Sequence, residues 1–304
     1  MDVVLQALVP VFALILLGQF LRRMHFPGDG FWPLAERFTY YVLFPAMLVF
    51  KLGSASIPPS AYGQLLFVVF SLVGVMTLLV VVIQLFWKWP GAVFSSVFQG
   101  SLRFNTFVGL AAAGLLLGDE ALSLFAVAIA IMIPLLNLLC ILMFALVIGQ
   151  GPVQWRSVFG TIIRNPLIIG SLAGAVWGFV GLGFHPLLVG FLAPLSSMAL
   201  PLGLLTVGAG LQLKALRGAS MPIAVSSVLK LCVFPVLAAA LASLFGLEGL
   251  IVKVVILLAA LPTASSAYIL ARQLGGDASL MAGIISGQTL LAMFTMPVML
   301  SLLW

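Results

Sequence analysis

Residues 62–87 read YGQLLFVVFSLVGVMTLLVVVIQLFW, with no charged position anywhere in the run. A helix crosses the hydrocarbon layer with about 20 mostly apolar residues, so this stretch predicts a membrane span. The pattern recurs on both sides. Segments near 3–23, 32–52, 62–87, 92–117, 120–149, 160–180, 187–211, 220–245, 250–273 and 279–303 give ten spans joined by short connections. Composition agrees: 63% of the 304 residues are hydrophobic and 7% charged, whereas soluble chains carry about 25% charged residues. The fold expected is an all-α integral membrane protein of ten transmembrane helices. Any function must be built within the lipid bilayer.

The net charge is +6, but the thirteen Lys and Arg are scattered and never form a run. That argues against nucleic acid as a partner, because isolated basic residues between apolar stretches set topology instead. With the first connection in the cytoplasm, that side holds Arg22, Arg23, Arg37, Lys88, Arg156, Arg164, Lys214, Arg217 and Arg272, and the other only Lys51 and Lys253. This positive-inside bias places both termini outside, as an even span count requires. Trp32, Trp87, Trp89, Trp155 and Trp304 fall near span ends, where an aromatic belt belongs. The first segment leads with Asp2 and carries Arg22-Arg23 after its apolar run, which fits a membrane helix better than a signal peptide.

An internal repeat runs through the chain. Pro10 and Gly18 recur as Pro166 and Gly174, and Pro45 as Pro201, all at an offset of 156; Gly118-Asp119 recurs as Gly276-Asp277 at 158. Two halves follow, 1–150 and 155–304, each of five spans. Five is odd, so the second half enters from the opposite face. Inverted repeats of this kind mark secondary transporters.

The fourth and ninth spans are expected to be broken. Arg103-Phe104-Asn105-Thr106 interrupts the fourth at its middle, where an Arg costs about 2.5–3.5 kcal/mol unless it faces a cavity or a partner. The ninth holds Leu261-Pro262-Thr263-Ala264-Ser265-Ser266 at the equivalent depth, and Pro262 lacks an N–H, freeing carbonyls upstream. At the 158 offset, Asn105 lies opposite Thr263 and Phe107 opposite Ser265. Matching breaks in two inverted halves point to a midplane substrate site, with helix N-termini directed at an anion. The candidate substrate-binding residues are Arg103, Asn105, Thr106, Pro262, Thr263, Ser265 and Ser266. Lys230, mid-span in the eighth helix, is a further candidate for anion attraction or gating.

Other classes fare poorly. Asp2, Asp29, Glu36, Asp119, Glu120, Glu248 and Asp277 all lie near span ends or in connections, as do His25 and His185, so a deep proton relay is not expected. Cys140 and Cys232 fit neither a metal pattern nor a disulfide framework. With no HExxH, GxSxG or Walker loop, no enzymatic activity and no cofactor are expected. The reading reached is a secondary transporter of small organic anions, such as a dicarboxylate, working by alternating access. The alternative is a sodium-coupled organic anion symporter of the bile-acid carrier type.

Several stretches resemble the auxin efflux carrier family: LPTASSAYILARQLGGD at 261–277, RNPLIIGSLAG at 164–174, YVLFPAMLVF at 41–50 and RFNTFVGL at 103–110. The similarity covers nearly the whole chain, and the fourth and ninth spans are its most specific parts. The resemblance implies ten helices in a five-plus-five inverted repeat, the fourth and ninth crossing at their breaks. It implies a scaffold of helices 1, 2, 6 and 7, a transport bundle of helices 3–5 and 8–10, and a homodimer through the scaffold. It also implies a substrate role for the crossing asparagine, which Asn105 matches. Bacterial relatives are described as malonate or other dicarboxylate permeases, which implies a multi-pass protein of the cell inner membrane. The chain departs from the plant carriers in lacking a long central loop, and from the family pattern in having no proline between Pro90 and Pro134.

Overall fold

The computed structural model describes residues 2–54, 59–149, 160, 163–181, 183–217 and 220–304. Trp155 and Arg156, together with the start of the second half at 155–159, lie outside them. Among the described residues every regular element is helical and no strand occurs. The chain opens with α1 (Asp2–Arg23), α2 (Phe31–Phe38), α3 (Phe44–Gly53), α4 (Pro59–Trp87), α5 (Gly91–Leu102) and α6 (Thr106–Ile148). It continues with α7 (Pro166–Val180), α8 (Pro186–Ala209), α9 (Ser220–Val228), α10 (Phe234–Leu244), α11 (Leu250–Ala260), α12 (Ser266–Gln273) and α13 (Ala278–Leu303).

Among the described residues six helical runs are long and apolar enough to cross a membrane: Val4–Arg23, Gly63–Trp87, Gly91–Ile148, Pro186–Ala209, Met221–Leu244 and Ala278–Leu303. The longest cannot be a single crossing. Its α6 portion has 43 residues, about 64 Å at 1.5 Å each, roughly twice the hydrocarbon thickness. The chain breaks at Gly118, whose φ of 83° and ψ of −172° are non-helical. Only glycine takes such a conformation at little cost. The apolar helices α7 and α11 are shorter, and the expected second span is assembled from α2 and α3.

Two helix junctions share one local device. A π-turn over Thr39–Leu43 joins α2 to α3, and another over Leu229–Val233 joins α9 to α10. Each is followed by Phe-Pro: Phe44-Pro45 and Phe234-Pro235. Proline has no N–H for the carbonyl four residues back, here Tyr41 and Leu231. The wider turn absorbs the mismatch, with Phe44 N–H donating to the Thr39 carbonyl and Phe234 N–H to that of Leu229. π-turns inside helices are frequent at functional sites.

Glycines set the closest helix contacts. α1 packs along α8 and α3 along α7. Any Cβ at Gly18 would collide with the Leu205 carbonyl oxygen, and one at Gly208 with that of Ile15. A Cβ at Gly170 would come within 2.8 Å of Pro45 Cα, and one at Gly174 within 2.7 Å of the Leu48 oxygen. Small residues that let backbones touch are how membrane helices gain packing energy without a hydrophobic drive between them. At the end of α3, Lys51 Nζ lies 2.7 Å from Asp119 Oδ1, tying that helix to the turn at Gly118.

These contacts are with backbone, which cannot swing aside. Gly208→Val should therefore cost about 1–3 kcal/mol through overpacking, read as a lower thermal midpoint in detergent. Gly74→Val, on an exposed part of α4 with open space around it, should leave the midpoint unchanged. Equal midpoints would show that α1 and α8 do not depend on this close approach.

Candidate functional site at the crossing of two broken helices

α5 stops at Leu102 because Arg103 turns extended, with φ −69° and ψ 157°. Helix resumes at Thr106, where Asn105 is the cap: its Oδ1 accepts from Phe107 N–H at 3.0 Å and Val108 N–H at 3.2 Å. Asparagine is among the best residues for this position, so a break without proline has a sufficient cause. α11 likewise ends as Leu261 turns extended, with φ −67° and ψ 146°. Residues 261–265 then bridge to α12, which begins with no side-chain cap.

The two breaks meet. Asn105 N–H donates to the Pro262 carbonyl at 2.7 Å. Gln288 of α13 fastens the same point: its Oε1 accepts from Thr263 N–H at 3.0 Å, and its Nε2 donates to the Gly100 carbonyl at 2.9 Å and Ser226 Oγ at 3.0 Å. The Thr263 hydroxyl donates to the Gln99 carbonyl at 3.4 Å. One side-chain amide thus joins α5, α9 and the break between α11 and α12. Extended backbone at this depth is tolerable only when its polar groups are satisfied in this way.

Burial divides the crossing into two sides. Thr263, Gln99, Gln288, Ser226 and Lys230 are fully buried, while Ser266 is exposed and Thr106, Ala264 and Ser265 are half-buried. The accessible group forms a mouth at the start of α6 and α12. Arg103 stands at its inner edge. Its Nη2 donates to Ser266 Oγ at 3.1 Å, Nη1 has no partner, and the residue is only 9% exposed. Cys140 lies beside it, and Tyr40 lies next to Asn165. Among the described residues the ion pairs are Arg22–Asp29 and Lys51–Asp119, so Arg103 meets no carboxylate. A buried charge normally requires such a partner.

The structure therefore brings Arg103, Asn105, Thr106, Pro262, Thr263, Ser265 and Ser266 together. It gives Asn105, Pro262 and Thr263 structural hydrogen bonds, and leaves Thr106, Ser265 and Ser266 facing the open side. Lys230 is placed apart from the mouth, on the second π-turn, with Nζ 3.1 Å from the Ala259 carbonyl oxygen and 4.3 Å from the centre of the Phe234 ring. Phe107 stacks on Phe44 with ring centres 4.7 Å apart, carrying the first π-turn to the start of α6. Sequence reasoning missed Gln288 and Gln99. The available signal was an uncharged amide in an otherwise apolar span, SLMAGIISGQTLLAMF at 279–294. The Gln99 carboxamide has no partner at either end. Asn165, also missed, caps α7 as Asn105 caps α6, accepting from Leu167 N–H at 2.9 Å. Among the described residues no cluster of His, Cys, Asp or Glu could hold a metal ion.

No curated protein matches the chain. A family model described as membrane transport protein matches residues 41–300, which include both breaks, Gln288 and every candidate residue at the crossing. Multiple apolar helices around a polar crossing are what a multi-pass transporter requires, and the chain belongs to the auxin efflux carrier family of membrane transport proteins.

Proposed function

We propose that the chain is a secondary carrier of small organic anions, carboxylates above all, working by alternating access. Arg103 is the observation that carries this reading: a cation nine-tenths buried, with one guanidinium nitrogen unpartnered and, among the described residues, no carboxylate paired with it. Removing a charge from water costs several kcal/mol unless a counter-charge with good geometry repays it. A substrate carboxylate at the mouth supplies that counter-charge, in the fork geometry that guanidinium favours. Thr106, Ser265 and Ser266 offer hydroxyls there, and the N-termini of α6 and α12 add partial positive charge.

The proposed frame is ten membrane helices in two inverted five-helix halves, 1–150 and 155–304, with both termini outside the cell inner membrane. The glycine-mediated contacts of α1 with α8 and of α3 with α7 support a rigid scaffold of helices 1, 2, 6 and 7. Helices 3–5 and 8–10, held together by Gln288 and the Asn105–Pro262 bond, would then move as one bundle. A second copy of the chain joins through the scaffold in this reading.

The test is uptake of radiolabelled malonate into proteoliposomes, with sodium, pH gradient and membrane potential varied separately. Each negative charge carried responds to potential by about 2.3 kcal/mol per 100 mV. Uptake that follows potential alone supports the carrier, and uptake that requires sodium points to a symporter. Arg103→Gln should raise the malonate KM about tenfold or more, the worth of a charge-assisted hydrogen bond; an unchanged KM in folded protein removes Arg103 from the site.

Asn105 separates cap from charge. Asn105→Ala should lose the cap, about 0.5–2 kcal/mol of stability, and lose transport. Asn105→Asp keeps an acceptor for Phe107 and Val108 N–H but sets a fixed carboxylate near Arg103. It should therefore stay folded and transport no malonate. Full transport by Asn105→Asp would show that Arg103 does not attract the substrate.

A further inference from the structure

The two broken helices end differently. Where α5 stops, its free carbonyls are met by neutral donors: the Gln99 oxygen by Arg103 N–H and the Thr263 hydroxyl, the Gly100 oxygen by the Gln288 amide. Where α11 stops, the Ala259 carbonyl is met by a whole cation, the Lys230 ammonium at 3.1 Å. Hydrogen bonding alone does not call for a lysine there, because α5 shows that an amide and a hydroxyl suffice. What distinguishes the α11 end is charge. A helix C-terminus carries roughly half a negative charge, and the Phe234 ring turns its face to the same ammonium at 4.3 Å. Lys230 is fully buried, and no ion pair among the described residues involves it.

A terminal carbonyl and an aromatic face at a broken helix are the surroundings of a dehydrated monovalent cation. Carriers with discontinuous helices place their coupling sodium against such carbonyl ends. We propose that the Lys230 ammonium occupies a monovalent-cation seat at the end of α11, as a tethered substitute for a free sodium ion. The π-turn over Leu229–Val233 presents it, and the Phe-Pro step that follows supplies the ring. The tether keeps the seat filled at any sodium concentration, so the crossing keeps its geometry without drawing on a sodium gradient. This deepens the carrier reading by assigning its coupling, and rests on that reading only for this consequence.

The experiment measures thermal midpoints of the purified chain in detergent. Sodium chloride is compared with N-methylglucamine chloride at equal ionic strength. The wild type should not respond to the exchange. Lys230→Ala vacates the seat, so its midpoint should fall in N-methylglucamine and recover by about 3–5 °C in sodium at ten times the dissociation constant. Lys230→Arg, which keeps a cation on the tether, should be indifferent to sodium. A sodium-specific rise in the wild type overturns the proposal, because the seat would then be elsewhere. So does a folded Lys230→Ala protein that ignores sodium. Should Lys230→Ala fold only when purified in sodium, the proposal is supported; failure to fold in either medium overturns it, since the lysine then does more than supply a charge. Malonate is absent from every arm. A carrier that fails to take up malonate leaves this result standing, and a sodium-indifferent variant leaves the carrier reading standing.

Discussion

The hydrogen bond from Asn105 N–H to the Pro262 carbonyl, 2.7 Å long, is the point on which the rest of the structure turns. Each of these residues sits in a stretch where helix has stopped, and stopping exposes peptide groups that the bilayer interior cannot solvate. Neither break is tolerable alone. Placed against each other they exchange the donor and acceptor that each lacks, and the Gln288 amide and the Thr263 hydroxyl complete the exchange. The free helix ends then collect at one place. Partial charges that a continuous helix would keep at its two ends are delivered to the crossing.

Those charges explain where the two deep cations lie. Arg103 leaves the end of α5, but its guanidinium reaches Ser266 at the start of α12, where one nitrogen is unpartnered and a ligand anion can compensate it. Lys230 stands against the carbonyl end of α11, where the dipole does compensate it. One cation is left wanting an anion and the other is already satisfied. Two residues that look alike in the sequence, each a lone basic side chain within an apolar run, are thereby separated by which end of a helix they face.

This distinction also marks how far the sequence could be read. Uncharged runs such as 62–87 announced membrane helices because the bilayer admits little else. The breaks were legible for the same reason: Arg103 and Pro262 are costly where they stand. The crossing residues were found through chemistry that is out of place. Gln288 escaped because a single amide is cheap enough to pass as interhelical packing, and only its three partners, from three different elements, reveal its work. The π-turns escaped because hydropathy is blind to a change of helical register, although Phe-Pro follows both. Lys230 stood out as a lone charge mid-span and was read as a candidate for anion attraction or gating, but its partner is a backbone carbonyl 29 residues away in sequence, and no side-chain pattern predicts that.

The paired Gly-Asp steps show how similar motifs take different duties. Asp277 is spent within its own neighbourhood. Its carboxylate caps α13 through Leu280 N–H at 2.9 Å, while its backbone accepts from Ser96 and donates to the Ala92 carbonyl. Asp119, at the 158 offset, reaches outward instead, to Lys51 at the end of α3. The first set of bonds is partly buried and joins α5 to α13; the second is an ion pair whose carboxylate side is largely exposed. Exposed pairs contribute about 0–1 kcal/mol and weaken with salt. A carrier that rocks one bundle past another needs strong bonds inside the bundle and weak ones across the sliding boundary. The contacts of Asp277 and Asp119 divide along that line: the aspartate that holds helices of the proposed bundle together is sheltered, and the one that reaches the proposed scaffold is left where water can replace its partner.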